Sequence, residues 1–345
     1  MPLRPLYGHD RVRQQLAGAI ARGKLPQALL IEGPPGVGKQ RLALWLAQSL
    51  VCEAPEPPCG HCSHCRHLLA LEHPDVLWLV PLELTRKGSD ADKQIEVVQD
   101  ALSEEMAARR DQPLYKSPPG QATHSIAAVR LVARFLALRP ALSRRRAVVI
   151  GAADRLVPQR ANPEAANALL KALEEPPSDT TIVLTTSDSG ALLPTLVSRL
   201  VRVRLTRLTD SVVTAFAQRE LGKESREASQ AVAEAEGSIG RLLASQEKGS
   251  GTDNAVERFL KAAKGQAVER YSLALWQPPF QARGAFTALL DGLLEHLRER
   301  ARAGEDTETV VAAMSRVLEA RAAAQGNVNP QLLTAVLAEE LWRAP

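Results

Sequence analysis

Short apolar runs punctuate the first two hundred residues, each followed by polar turn residues. They are Ala28–Ile31, Asp75–Val80, Ala147–Ile150 and Thr181–Thr186, and the alternating stretch Leu200–Leu205 closes the series. Between them the apolar positions fall into a helical period. Val12, Leu16, Ala19 and Ile20 define one face within Leu3–Gly23, Lys39 to about Val51 reads as a second helix, and Ile126, Val129, Ala133 and Leu136 define another face. Strand-length runs alternating with helices predict a parallel sheet with crossover helices. The helix before the fourth run is the best punctuated, with Asn162 as a cap, Pro163 in its first turn, and Pro176 and Pro177 unable to continue it.

The rhythm breaks twice. From about Pro81 to His124 the chain is polar and charged, with a helical stretch at Asp90–Arg110 and a PPG break at Pro118–Gly120, and it reads as an insertion on the surface. From Thr206 to Lys248 the pattern is wholly helical with turns near Gly222 and Gly237, and after the polar run Gly249–Asp253 it stays helical from Ala255 to Pro345. The expected organisation is an α/β domain over 1–205, a small helical segment over 206–248 and an all-helical part over 249–345, which composition leaves open as a subunit-packing domain or a self-contained bundle. The many alanine faces of the last part suit packing against similar subunits.

Composition narrows the class. With 45% hydrophobic and 24% charged residues the chain reads as soluble, and no uncharged apolar run long enough for a membrane or signal segment interrupts it, so a cytoplasmic protein is expected. A net charge of +4 is too small to argue for nucleic-acid binding by itself.

Two local motifs carry chemistry. GPPGVGKQ, Gly33–Gln40, follows a strand and opens a helix. Gly33, Gly36 and Gly38 let backbone amides face a phosphate, and Lys39 would neutralise the outer phosphates. Gln40 stands where a Ser or Thr hydroxyl should hold magnesium, so metal binding is expected to be impaired, and nucleotide retention and loss both stay open. The second motif is CEAPEPPCGHCSHC. Cys52, Cys59, Cys62 and Cys65 can surround one structural zinc with every coordination place filled, and His61 and His64 are the lesser alternatives.

Taken as one string, NALLKALEEPP, LTT and LLPTLVSR, within Ala147–Arg199, resemble the AAA+ clamp-loader family over nearly the whole chain. The resemblance implies a P-loop domain with a five-stranded parallel sheet and a zinc module at about 52–65, followed by a small helical lid over 206–248 and an all-helical collar over 249–345. The family's zinc module has a longer first gap, so Cys52 departs from its pattern. It also implies that Gly151 and Ala152 occupy the places of the Asp-Glu pair that serves metal and water, that Asp154 falls at a later, non-catalytic aspartate, and that Gly240 lies where ATPase members carry an arginine. Thr186 falls at a polar sensor position. Ser198 and Arg199 match the Ser-Arg-Cys motif, with Leu200 for the cysteine, and the arginine would reach a neighbour's ATP in trans. The expectation is a non-hydrolysing subunit of a bacterial clamp loader within a DNA-directed DNA polymerase holoenzyme. Its partners would be ATPase subunits of the gamma/tau type, a delta-type subunit, the sliding clamp and the backbone of primer-template DNA. Zinc would be structural and magnesium absent. The alternatives are an autonomous ATPase or an ATP-sensing regulator in recombination or repair.

Overall fold

The computed structural model describes residues 3–84, 88–112, 122–156, 164–222, 225–246, 252–277, 285–304, 306–325 and 328–343. The chain divides into two units, one comprising Met1–Pro118 with Ala122–Ser245, the other Gln246–Pro345.

The first unit begins with helix α1 (Asp10–Ala21), strand β1 (Ala28–Glu32), helices α2 (Lys39–Val51) and α3 (Ser63–Leu69), and strand β2 (Val76–Leu79). It continues with helices α4 (Ala91–Asp111) and α5 (Ile126–Ala137), strand β3 (Arg146–Ile150), helix α6 (Glu164–Glu174) and strand β4 (Thr180–Thr186). Helix α7 (Pro194–Val197), strand β5 (Val201–Arg204) and helices α8 (Asp210–Leu221), α9 (Ser225–Ala235) and α10 (Ile239–Gln246) complete it. The five strands are all parallel, in the order β2-β3-β4-β1-β5. β1, β3 and β4 are buried along their whole length, which is why they read as unbroken apolar runs and not as alternation. The AAA+ type of P-loop sheet expected from the sequence is therefore present.

Three boundaries moved. Residues 3–9 are not helical: Gly8 and His9 both take positive φ, so α1 starts only at Asp10. Instead, Tyr7 sets its ring edge-on to Phe216 at 5.3 Å and donates to Glu220, and burial together with that carboxylate pushes its phenol up to about 12. The segment read as a surface insertion contributes to the core. It leaves and returns through a two-way backbone bridge between Leu82 and Thr123, and α4 buries Ile95, Val98 and Leu102, packing along α5. Glu96 and Glu104 are exposed, while Arg109 folds over the Trp78 ring at 4.7 Å, so the charges mask the apolar stripe in a composition count. The polar run read as a linker is helical from Thr252, while 247–251 lie outside the described residues, as do Asn162 and Pro163, the expected cap of α6.

The second unit consists of helices α11 (Thr252–Lys264), α12 (Ala267–Trp276), α13 (Ala285–Arg302), α14 (Thr307–Gln325) and α15 (Pro330–Arg343) around a core that includes Phe259, Phe286, Leu290 and Val317. α12 leaves Val268, Tyr271 and Leu275 65–73% exposed on one stripe, and on α15 Leu332 is 60% exposed. No described helix is long and apolar enough to cross a membrane.

Candidate functional site: a fastened P-loop and a four-cysteine cluster

The loop between β1 and α2 lies at the carboxyl edge of the sheet, where ligands of open α/β sheets bind. Glycine is required there: Gly36 and Gly38 have φ of 74° and 97°. Yet successive loop carbonyls are engaged by the chain itself. Lys39 Nζ donates to Gly33 O (2.8 Å), Pro34 O (2.6 Å) and Ser187 Oγ (2.8 Å). Ser238 Oγ donates to Pro35 O (2.9 Å), the amide of Gly240 to Gly36 O (3.0 Å), and His9 Nε2 to Val37 O (2.7 Å). Lys39 is 8% exposed, and burial pulls its ammonium down to about 8 against the opposing pull of Asp154.

The position that should coordinate magnesium is filled differently. Gln40 Oε1 accepts from the Trp78 indole at 3.1 Å, and a Cβ built on Gly151 would meet the Gln40 amide at 2.5 Å. The side chain at 40 therefore occupies the space that a side chain at 151 would need. Ala152 sits at φ 50°, its amide tied to Thr185 Oγ1 at 3.1 Å, a backbone conformation costly for a longer L-residue. His124, fully buried, donates from Nε2 to Gly151 O at 2.7 Å, which fixes its tautomer, and burial pulls its imidazole down to about 4. Gly240 packs so closely on the loop that a Cβ there would meet Gly36 Cα at 2.6 Å. An arginine at that position does not fit this arrangement.

Thr186 closes β4 at the same edge, whereas Ser198 and Arg199, just before β5, lie at the opposite edge beside the end of α6. The Thr186 hydroxyl lies 2.7 Å from Asp154 Oδ1 and 2.9 Å from Asp188 O. Ser198 Oγ donates to Thr195 O at 3.1 Å. Arg199, one residue beyond, pairs with Glu174 at 2.6 Å and donates to Thr195 O at 2.8 Å, with its side chain 36% exposed. His9, Ser187 and Ser238 were not legible as partners of the loop, because all three are brought to it from distant parts of the chain. Only the Ser in GSIGR, just before a helix, carried any signal.

At the opposite edge of the sheet, the four cysteines after α2 come together. Their sulfurs lie within 4.8 Å of one another, with Cys59–Cys65 and Cys52–Cys62 at 3.9 Å. Tetrahedral zinc with bonds of about 2.3 Å needs sulfurs roughly 3.8 Å apart, so the cluster is compatible with a structural zinc. Amides of Cys59, Cys62 and Cys65 point at Cys52, Cys59 and Cys62 sulfurs at 3.4–3.5 Å, stabilising thiolates. The amides of Cys62 and His61 lower the Cys59 thiol to about 6, whereas burial pushes the Cys65 thiol up, so a cation is what would make all four thiolates compatible. His61 turns to Cys59 O, and His64 Nδ1 meets His73 Nε2 at 3.1 Å, so neither replaces a sulfur.

Comparison with known proteins places these features in a lineage. Residues 8–209 match a family described as DNA polymerase III, delta subunit. The chain is similar to DNA polymerase III subunit delta' of Pseudomonas aeruginosa, 32% identical over 190 residues that make up 54% of this chain and 44% of that protein. It is also similar to the Bacillus subtilis delta' subunit, again 32% identical over 190 residues, 55% and 45% of the two chains. The matched stretch thus spans less than half the length of these relatives. Among solved structures, a gamma subunit-related protein of DNA polymerase III from Thermotoga maritima superimposes with a TM-score of 0.46 at 18% identity, covering 95% of this chain and 100% of that one. The RuvB Holliday junction branch migration motor of the same organism gives 0.44 at 17%, covering 97% and 92%.

Proposed function

The chain belongs to the DNA polymerase III, delta subunit family, and from that premise we propose that it is a non-hydrolysing scaffold subunit of a bacterial clamp loader. The observation that carries the reading is the mutual filling of the metal position by Gln40 and Gly151, which leaves neither a hydroxyl nor a carboxylate to grip magnesium. The Lys39 ammonium, the donor that would reach a phosphate, is held instead on Gly33 O, Pro34 O and Ser187 Oγ, which supports the same reading against an ATP-sensing one.

In this role the subunit acts on its neighbours. Arg199 stands ready at the end of α7 as an arginine finger in trans, with Glu174 orienting it until a neighbour's triphosphate competes for the guanidinium. Ser198 closes the same turn. The apolar stripe of α12 and Leu332 of α15 would supply the collar contacts to gamma/tau and delta-type subunits. Cys52, Cys59, Cys62 and Cys65 would hold one zinc that cross-links the segment after α2. The sliding clamp and the phosphates of primer-template DNA are met by the assembled loader.

The test is reconstitution with sister ATPase subunits, clamp and primed DNA. The chain alone should release no phosphate from ATP. Arg199→Ala should leave folding and assembly intact, since an exposed pair contributes at most about 1 kcal/mol, while lowering turnover at the adjoining site by about 10³-fold. Full stimulation by the variant removes the finger assignment, and magnesium-dependent turnover by the lone chain removes the scaffold reading.

A further inference from the structure

Between α5 and β3 the chain reads LALRPALSRRRA, residues 136–147, at the edge of the sheet opposite the P-loop. Its outward side chains make an unusual surface. Leu138 and Leu142 are 64% and 55% exposed, and Arg134, Arg139, Arg144 and Arg145 are exposed around them. Among the described residues Arg134, Arg139 and Arg145 form no ion pair, and Arg144, its side chain 93% exposed, has only Glu53 at 3.9 Å, the limit of such a contact.

A loop with this composition would ordinarily be free to fold its leucines inward. Here the backbone is held from beneath by two buried charges. Asp75, 3% exposed, accepts the amides of Ala141, Leu142 (2.8 Å) and Ser143 (2.7 Å) and the Ser143 hydroxyl (3.0 Å). Burial alone would push this carboxyl up, but the amides of Ala141, Ser143 and Leu142 outweigh it and hold it below the usual carboxylate range. On the other side the Arg146 guanidinium, 4% exposed, donates to Phe135 O (3.1 Å), Leu138 O and Thr180 Oγ1 (2.7 Å), and pairs with Asp179 at 3.2 Å. Buried, fully hydrogen-bonded charges are costly to install and rigid once satisfied. They fix a surface whose own apolar and cationic side chains make no contact that the fold requires.

We propose that this loop is a preorganised docking surface for an acidic peptide segment with apolar anchors, the segment's carboxylates meeting Arg139, Arg144 and Arg145 and its apolar side chains covering Leu138 and Leu142. Charge complementarity and the arginine fork, which meets carboxylates bidentately, favour an acidic partner. The two leucines favour a peptide over a nucleic acid, since single-stranded nucleic acid wants aromatic platforms for its bases and residues 136–147 contain no aromatic side chain. A rigid loop loses little conformational entropy on binding, which makes a small patch effective.

The test uses the full chain and a random display library of peptides about twelve residues long. Selection on the wild-type chain should enrich peptides rich in Asp and Glu with interspersed Leu, Ile or Phe. A labelled peptide from that set should bind with a Kd that rises at least about tenfold in the double variant Arg144→Glu, Arg145→Glu, and separately in Leu142→Asp. Both variants alter exposed side chains, and an unchanged melting temperature shows that they fold. Enrichment without an acidic bias, no enrichment at all, or binding indifferent to both variants overturns the proposal. So does tight binding of an oligo-dT of about 20 nucleotides that is abolished by the arginine reversals, which would assign the surface to nucleic acid instead.

Discussion

The two edges of the sheet in the first unit have been treated in opposite ways. At the carboxyl edge the P-loop keeps its glycines and its lysine, yet its polar groups are turned inward on one another: Lys39 on Gly33 and Pro34, Ser238 on Pro35, Gln40 on Trp78. At the amino edge the buried groups Asp75 and Arg146 and the four-cysteine cluster support segments whose charges remain outside. A motif can thus keep its glycines and lysine while its polar side chains are engaged by the protein itself. Rigid support with free surface charge is the arrangement that has something left to offer a partner.

The largest expected effect tests the amino edge. Cys65→Ser should lower folding stability by about 4 kcal/mol and abolish zinc in the purified chain, because a buried ligand is lost and the cross-link with it. Denaturant unfolding and elemental analysis check this together, and wild-type stability without metal would make that edge no different from any packed loop.

A second effect tests how firmly the carboxyl edge is closed. His124 is buried as the neutral imidazole, its folded value depressed to about 4 from an ordinary value near 6.5. Its contribution is therefore fully present above about pH 6.5 and is lost as pH falls through that range toward 4, on the order of 3 kcal/mol in all. His124→Gln keeps a donor for Gly151 O and should flatten the stability profile between those limits. A profile as steep as wild type would assign the acid sensitivity to other groups.

The smallest effect concerns the lid. Gly240→Arg should destabilise by about 2 kcal/mol through overpacking on Gly36 and should not confer nucleotide turnover. A neutral melting temperature would mean that α10 lifts easily, and the contrast between the two edges would soften to one of degree.

Much of this was written in the sequence. The four apolar runs and the alternating stretch are strands, β1, β3 and β4 unbroken because they are buried on both faces, and the cysteine spacing brought four sulfurs to one point. That Gln40, Gly151 and Ala152 stand at these three positions is plain in the sequence; that Gln40 fills the space beside Gly151 is not. The insertion was not: α4 has three buried apolar positions among many charges, and only its packing on α5 shows which side counts.

Local pattern determined the strands, the P-loop and the cysteine cluster, because each depends on residues close together in the chain. Tertiary structure alone decided that Gln40 fills the space beside Gly151, that Gly240 and Ser238 fasten the P-loop, and that Asp75 holds a loop almost seventy residues away at 141–143. Those contacts join distant segments, and no periodicity or spacing encodes which buried polar group will meet which orphan amide until the core has brought them together.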